Sequence, residues 1–201
     1  MTNTVALDPD FRAQVDAFIQ LRVKEGFASE DKIIEAVLDY WEDLPDFDAL
    51  EAYVVRTTRE AHAAHCEAQK DWPEETDCDR LDFAFLVLEE EHGIVARQNF
   101  TCCQTDGHSE IWGEIRQVQA QHPVMGYAFY HEQDTENAAR CGDLFLAYGA
   151  VDEGEAAQIA VAHCIVDTLR DAGFTVEGNG SVKERVFATG LDWKKRREAC
   201  R

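Results

Sequence analysis

The spacing of apolar residues changes character once along this chain, and that change limits what the chain can fold into. Up to Gly93 the apolar positions recur at helical intervals. Phe11, Val15 and Phe18 share a stripe after Asp8, with Gly26 at its end, and Ile33, Ile34, Val37, Leu38, Trp41 and Leu44 share a face behind Ser29. A third helix runs from about Phe47 to Lys70 on Leu50, Tyr53 and Val54, and its second half, "REAHAAHCEAQK", can bury little. Pro73 then excludes helix at Trp72, Thr76 or Asp77 can start the next one, and Leu81, Ala84, Phe85 and Leu88 give that helix one apolar face ending at Gly93. Beyond Gly93, strand-like stretches alternate with helical ones. They read as strand "IVARQNF", helix "SEIWGEIRQVQAQ" capped by Ser109, strands "VMGYAFYHE" and "DLFLAYGA", helix "EGEAAQIAVAHCIVDTLRDAG", and strands "FTVE" and "SVKERVFA".

This order predicts an α+β fold: an antiparallel sheet with helices on one face, of the ferredoxin-like split βαβ type with one added strand, preceded by a helical N-terminal region. The expected boundaries are 1–75 for the helical region, 76–190 for the sandwich and 191–201 for a basic tail. In the last hairpin, a three-residue "GNG" loop would pair Val176 with Val182.

Charge bears on partners. The formal net charge is −21; residues 1–93 carry 24 acids against 8 bases, and residues 94–201 carry 16 against 11. Direct nucleic-acid binding is disfavoured, because it draws on Lys and Arg to displace counterions. The terminal "WKKRREACR" holds five of the later bases and reads as a solvated tail or one paired with the protein's own acids. No apolar run approaches a membrane span, and no secretory apolar region follows the polar start "MTNTVALDPD", so a soluble cytoplasmic protein is expected. Seven scattered cysteines, an odd number, predict reduced thiols.

The chemically richest stretch is "NFTCCQTDGHSEI", residues 99–111. Thiols ahead of a helix N-terminus feel its partial positive charge, so Cys103 can be read as nucleophile or ligand, Cys102 as resolving thiol and His108 as base. Cys103, Asp106 and His108 have tolerable spacing for zinc, with His131 or Cys141 as a fourth ligand. Against this stands a plainer reading, in which one cysteine packs beneath a turn shaped by Asp106 and Gly107. His62 and Cys66, one turn apart with His65 beside them, read first as a solvated helix face, and His163 as a core histidine. Serine-elbow, phosphate-loop, dinucleotide and H-E-x-x-H signatures are missing.

The stretch "WPEETDCDRLDFAFLVLEEEHGIVARQNFTCCQTDGHSEI" resembles a family of bacterial proteins built on a domain of unknown function that pairs T-D-C-D-x-L with N-F-T-C-C. The likeness continues through "GYAFYHEQDTENA", "LFLAYGA" and "GSVKERV". It implies one folded unit over most of the chain and carries no activity with it. Asp106 stands where that pattern would place a further cysteine, which would substitute a hard carboxylate for a soft thiolate, and Gly178 stands where it would place tryptophan. The expected function is a binding module for a protein or small-molecule ligand without chemistry of its own. The alternatives are a thiol- or metal-dependent enzyme centred on Cys102, Cys103 and His108, and an acidic inhibitor that mimics nucleic acid.

Overall fold

The computed structural model describes residues 8–43, 47–177, 184–197 and 200. The chain divides into two compact units, one made of residues 1–74 and 194–201, the other of Glu75–Trp193.

The first unit is helical. Helix α1 (Pro9–Glu25) starts where the Asp8 carboxylate accepts the Asp10 and Phe11 amides and stops at Gly26, whose φ of 86° suits glycine. Ser29 caps α2 (Glu30–Tyr40), and α3 spans Phe47–Gln69. Their apolar stripes converge on Val15, Ile19, Val23, Ile33, Val37, Leu50, Val54 and Ala61. The second half of α3 is not the loose end its sequence suggests. The chain returns along it, so that the His65 ring meets the Lys195 carbonyl and buried Gln69 brackets the Arg197 backbone.

The basic terminal stretch is therefore part of this unit. Arg197 is buried, and its guanidinium donates to the carbonyls of Arg22 and Val23 in the last turn of α1, which a helix end leaves without partners, and to that of Ala28 in the link beyond. Burial lowers the Arg197 pKa, and Glu25 pulls the other way. The expectation that every thiol is reduced fails here: Cys66 and Cys200 are disulfide-bonded across 134 residues, a closure that in the chain-entropy model stabilises by about 5 kcal/mol.

The second unit is α+β, with a helical region ahead of it in sequence and a mostly antiparallel sheet, as the sequence leads one to expect. Helix α4 (Asp77–Glu90) opens on a reciprocal cap between Thr76 and Asp79. Strands β1 (Ile94–Arg97), β2 (Gly126–Phe129), β3 (Leu144–Ala150), β4 (Thr175–Glu177) and β5 (Val186–Thr189) form one sheet in the order β1-β2-β3-β5-β4. Only β1 and β2 are parallel, joined through α5 (Gln104–Gln119). The split βαβ unit appears once, as β3–α7–β4 with β5 inserted, where α7 is Glu155–Asp171.

Three details depart from expectation. A helix unforeseen in the sequence, α6 (Glu132–Cys141), connects β2 and β3; the expected strand "VMGYAFYHE" ends at Phe129, and His131 is already the cap of α6. Helices cover both faces of the sheet rather than one. Ile111 and Ile115 of α5 pack with Tyr127 and Phe129, whereas Val161 of α7 lies over Gly126, and neighbouring strand residues face opposite ways. That is why every residue of β2 is buried. In the last hairpin Val176 pairs with Ala188, not Val182, because the connection from β4 to β5 is longer than three residues; the "GNG" turn itself lies outside the described residues. His163 is exposed, not in the core, since α7 turns Val161, Ala162, Ile165, Val166 and Leu169 inward.

Replacing Arg197 with alanine should leave the Arg22, Val23 and Ala28 carbonyls without their charged donor, at a cost of about 3 kcal/mol, read as a lower urea midpoint for the helical unit with the disulfide intact.

Candidate functional site

The turn between β1 and α5 is built on unusual backbone. Asn99 and Thr101 are the only described non-glycine residues with positive φ, at 50° and 61°, and a β-branched residue there is strained. Both are held from the start of α6. The Thr135 hydroxyl donates to Asn99 Oδ1 at 2.7 Å, the Glu132 amide donates to the Thr101 carbonyl at 3.1 Å, and the Phe100 amide donates to the Tyr130 carbonyl at 2.8 Å. The Thr101 hydroxyl reaches on to the Cys103 carbonyl at 3.0 Å.

Helix α5 therefore begins earlier than Ser109: Cys103 occupies its cap position, without a side-chain cap bond, and Asp106, Gly107 and His108 lie inside the helix. Gly107 matters because a Cβ there would stand 2.4 Å from the Phe129 ring. Its absence lets the first turn sit directly on β2.

Three side chains meet above that turn. The Cys102 and Cys103 thiols both donate to Asp106 Oδ2, at 3.0 and 3.2 Å, and the three ligand atoms lie within 4.8 Å of one another. A carboxylate that accepts a thiol proton disfavours the thiolate. The Asp106 bond, with further contributions from Cys103 and burial, pushes Cys102 up to about 12, and the same two bonds hold Asp106 below its ordinary value.

His108 points elsewhere. Its Nδ1 meets the Tyr127 hydroxyl at 3.0 Å and its Nε2 faces Gln104 at 3.3 Å, with edge contacts to Tyr127 and Phe129. Burial, then the nearby Arg185 charge, lowers its pKa, so the ring is neutral around pH 7. His131 is not on a strand: it caps α6, with Nδ1 accepting the Asp134 amide and Nε2 3.1 Å from the Asp134 carboxylate. The expected ligand set is thus divided. Cys103 and Asp106 are joined by Cys102, while His108 and His131 face other partners. Exposed Cys141 bonds the Asn137 carbonyl on its own helix. In the helical unit, His62 lies 3.7 Å from Cys66, whose sulfur is committed to Cys200.

Reading the sequence passed over Arg185. Its guanidinium pairs with buried Asp134, donates to the Phe145 carbonyl at 2.8 Å and lies 5.5 Å from the Phe145 ring centre. Arg185 also lines a cleft of about 280 Å³ with Gln104, His108, Tyr148, Gln158 and Glu184. A lone arginine in a strand pattern carried no signal, because its partner Asp134 belongs to the unforeseen α6.

These features define a class: an α+β protein with a mostly antiparallel sheet and a strained, thiol-bearing turn pinned beside a small polar cleft. The chain belongs to the family DUF6891, a domain of unknown function, whose model matches residues 8–197. No curated protein and no solved structure matches it. No helix among the described residues is long and apolar enough to cross a membrane.

Asp106→Asn should release Cys102. Losing the Asp106 acceptor removes the largest cause that raises Cys102 and leaves the Cys103 contribution, so the thiolate fraction rises while the weaker intrinsic nucleophilicity of a less basic thiolate offsets part of the gain. Alkylation at pH 8, followed by peptide mass mapping, should therefore quicken severalfold at Cys102 and stay unchanged at Cys141. The lowered His108 and His131 pKa values set a pH trend as well. Below the ordinary 6.5 the unfolded chain holds more protons than the folded one, so their contribution is complete above that pH and lost as the pH falls through the folded values. Urea midpoints at about pH 7.5 and 5.5 should differ in that direction, and His108→Gln should reduce the difference.

Proposed function

We propose that this chain is a binding module without chemistry of its own, and that it holds a small polar ligand where the 98–103 turn and the first two turns of α5 meet the Arg185 cleft. One observation carries the reading: Asn99 and Thr101 are both held in left-handed backbone. Asparagine tolerates this region, but at the β-branched Thr101 it costs about 1–2 kcal/mol that glycine would not, and such strain persists where the surroundings fix a conformation that serves a site. Here the surroundings are Thr135, Glu132 and the Cys103 carbonyl.

The cleft suits a small hydrogen-bonding molecule. Gln104, Gln158 and Tyr148 offer donors and acceptors, His108 is a neutral ring fixed by Tyr127, and the Arg185 charge is offset by Asp134. The geometry also favours binding over thiol catalysis. A nucleophilic cysteine needs a base on its sulfur, and His108 faces Tyr127 and Gln104 while a carboxylate sits on both thiols. A protein partner remains within the proposal only as a donor of such a group to the same cleft.

A cytoplasmic location belongs to this proposal. Among the described residues Cys102, Cys103 and Cys141 are free and reachable from solvent, a state that an oxidising compartment would not preserve. Cys66–Cys200 is the bond that a reducing compartment would put at risk.

The test is amide-shift mapping by nuclear magnetic resonance on the full chain, with small amides, carboxylates and polyols as probes. Shifts gathered on residues 99–108 and on Arg185 support the proposal. It is overturned if the probes collect in the larger groove of about 970 Å³ lined by His92, Val118, Pro123 and Met125, or if none binds at millimolar concentration.

A further inference from the structure

We propose that Cys102, Cys103 and Asp106 form a chelating site for a thiophilic divalent cation of the zinc group. The inference shares the 98–103 turn with the ligand reading and does not depend on the cleft.

The argument begins with distance. In tetrahedral coordination, zinc–sulfur bonds of about 2.3 Å and zinc–oxygen bonds of about 2.1 Å separate a sulfur from an oxygen by roughly 3.6 Å. Asp106 Oδ2 stands 3.0 Å from one sulfur and 3.2 Å from the other, and all three ligand atoms lie within 4.8 Å of one another. The carboxylate has only to withdraw by about half an ångström for a cation to enter between it and the thiols. It is free to do so, since it is exposed and its two bonds are to the thiols themselves.

The donor set selects the metal. Two sulfurs favour soft and borderline ions over calcium or magnesium, which take oxygen ligands. On binding, each S–H bond breaks, its proton passes to solvent and a metal–sulfur bond forms. Two thiolates and one carboxylate around a divalent ion leave one negative charge, placed beside the N-terminal end of α5 where negative charge is stabilised. The three donors leave a fourth position open towards solvent, as Cys102 and Asp106 are exposed.

Adjacent cysteines seldom point their sulfurs to one side in extended backbone, where successive side chains alternate. In this chain the left-handed Thr101 precedes the pair, and Cys103 takes the extended cap conformation at φ −151°, which turns both sulfurs onto Asp106, three and four residues along.

The experiment uses the full chain with the Cys66–Cys200 disulfide intact and stripped of metal, titrated with zinc chloride against a chromophoric chelator. Cadmium chloride is used in parallel, read by its ultraviolet sulfur-to-metal charge-transfer absorption. The expected result is one equivalent bound per chain with calcium and magnesium unable to compete. Cys102→Ser, Cys103→Ser and Asp106→Asn should each weaken binding roughly tenfold or more, and Cys141→Ser should not. His62→Ala separates this site from the second thiol–imidazole group, His62 with Cys66 and Cys200, which reduction of the disulfide would open. Binding that survives both Cys102→Ser and Cys103→Ser but is lost in His62→Ala overturns the proposal, as does the lack of saturable binding at micromolar zinc in a chain with unchanged circular dichroism. Probe shifts at Arg185 and His108 that persist without metal leave the ligand reading standing when zinc fails to bind, and zinc binding without such shifts does the reverse.

Discussion

The hydrogen bonds that tie the 98–103 turn to the start of α6 are the constraint on which the rest of the second unit depends. Strand β1 lies at the edge of the sheet and its chain must leave β1 and cross over β2 into α5. The Phe100 amide takes the Tyr130 carbonyl just beyond β2, the Glu132 amide takes the Thr101 carbonyl, and Thr135 takes the Asn99 side chain. Three bonds from consecutive parts of one helix start thus fix consecutive residues of a turn that intrinsic backbone preference would disperse. The gain is position. With the turn fixed, Gly107 can lie against Phe129, α5 can bury Ile111 and Ile115 against one face of the sheet, and α7 can take the other.

The same helix start serves a second purpose. His131 and Asp134 cap each other at its first turn, and the Asp134 carboxylate that completes this cap is also the partner of Arg185. A buried carboxylate of this kind has four lone-pair sites to satisfy, and here a backbone amide, an imidazole and a guanidinium approach it. Removing the Arg185 guanidinium would leave the buried Asp134 charge without its cation, which is costlier than the pair is worth when intact. The turn, the cap and the wall of the cleft are therefore coupled through α6, although they are far apart in sequence.

What could be read directly from the residues was whatever is decided within a few positions. The caps Asp8, Ser29 and Thr76, the stop at Gly26, the helical stripes and the change of period after Gly93 are local, and they gave the α+β class and the helical region before it. The order of strands depends on α6, and "EQDTENAARC" buries only small and polar residues, so its apolar period is faint. The face taken by α5 was hidden for a related reason, since a four-residue strand buried on both sides shows no alternation. Within the site, the meeting of Cys102, Cys103 and Asp106 follows from helical spacing once the helix start is known, whereas His108 and His131, grouped with them by sequence spacing, face other partners. Arg185 and Arg197 could not be foreseen, because each is defined by carbonyls and carboxylates brought from distant parts of the chain.

Charge is spent in the same economical manner. Although the chain is strongly acidic, two of its guanidiniums are used as internal connectors: Arg197 for a helix end and Arg185 for a helix start. Excess carboxylates remain at the surface, where repulsion between like charges is screened and solubility is gained. Asp106 is the exception worth weighing. It could have served as an ordinary first-turn acid, stabilised by the helix end, but it is drawn instead onto two thiols that cap nothing. An exposed carboxylate gains little from neutral thiol donors in water, so the arrangement is poorly explained by stability alone. It is explained if the three groups are held together for what replaces the two protons.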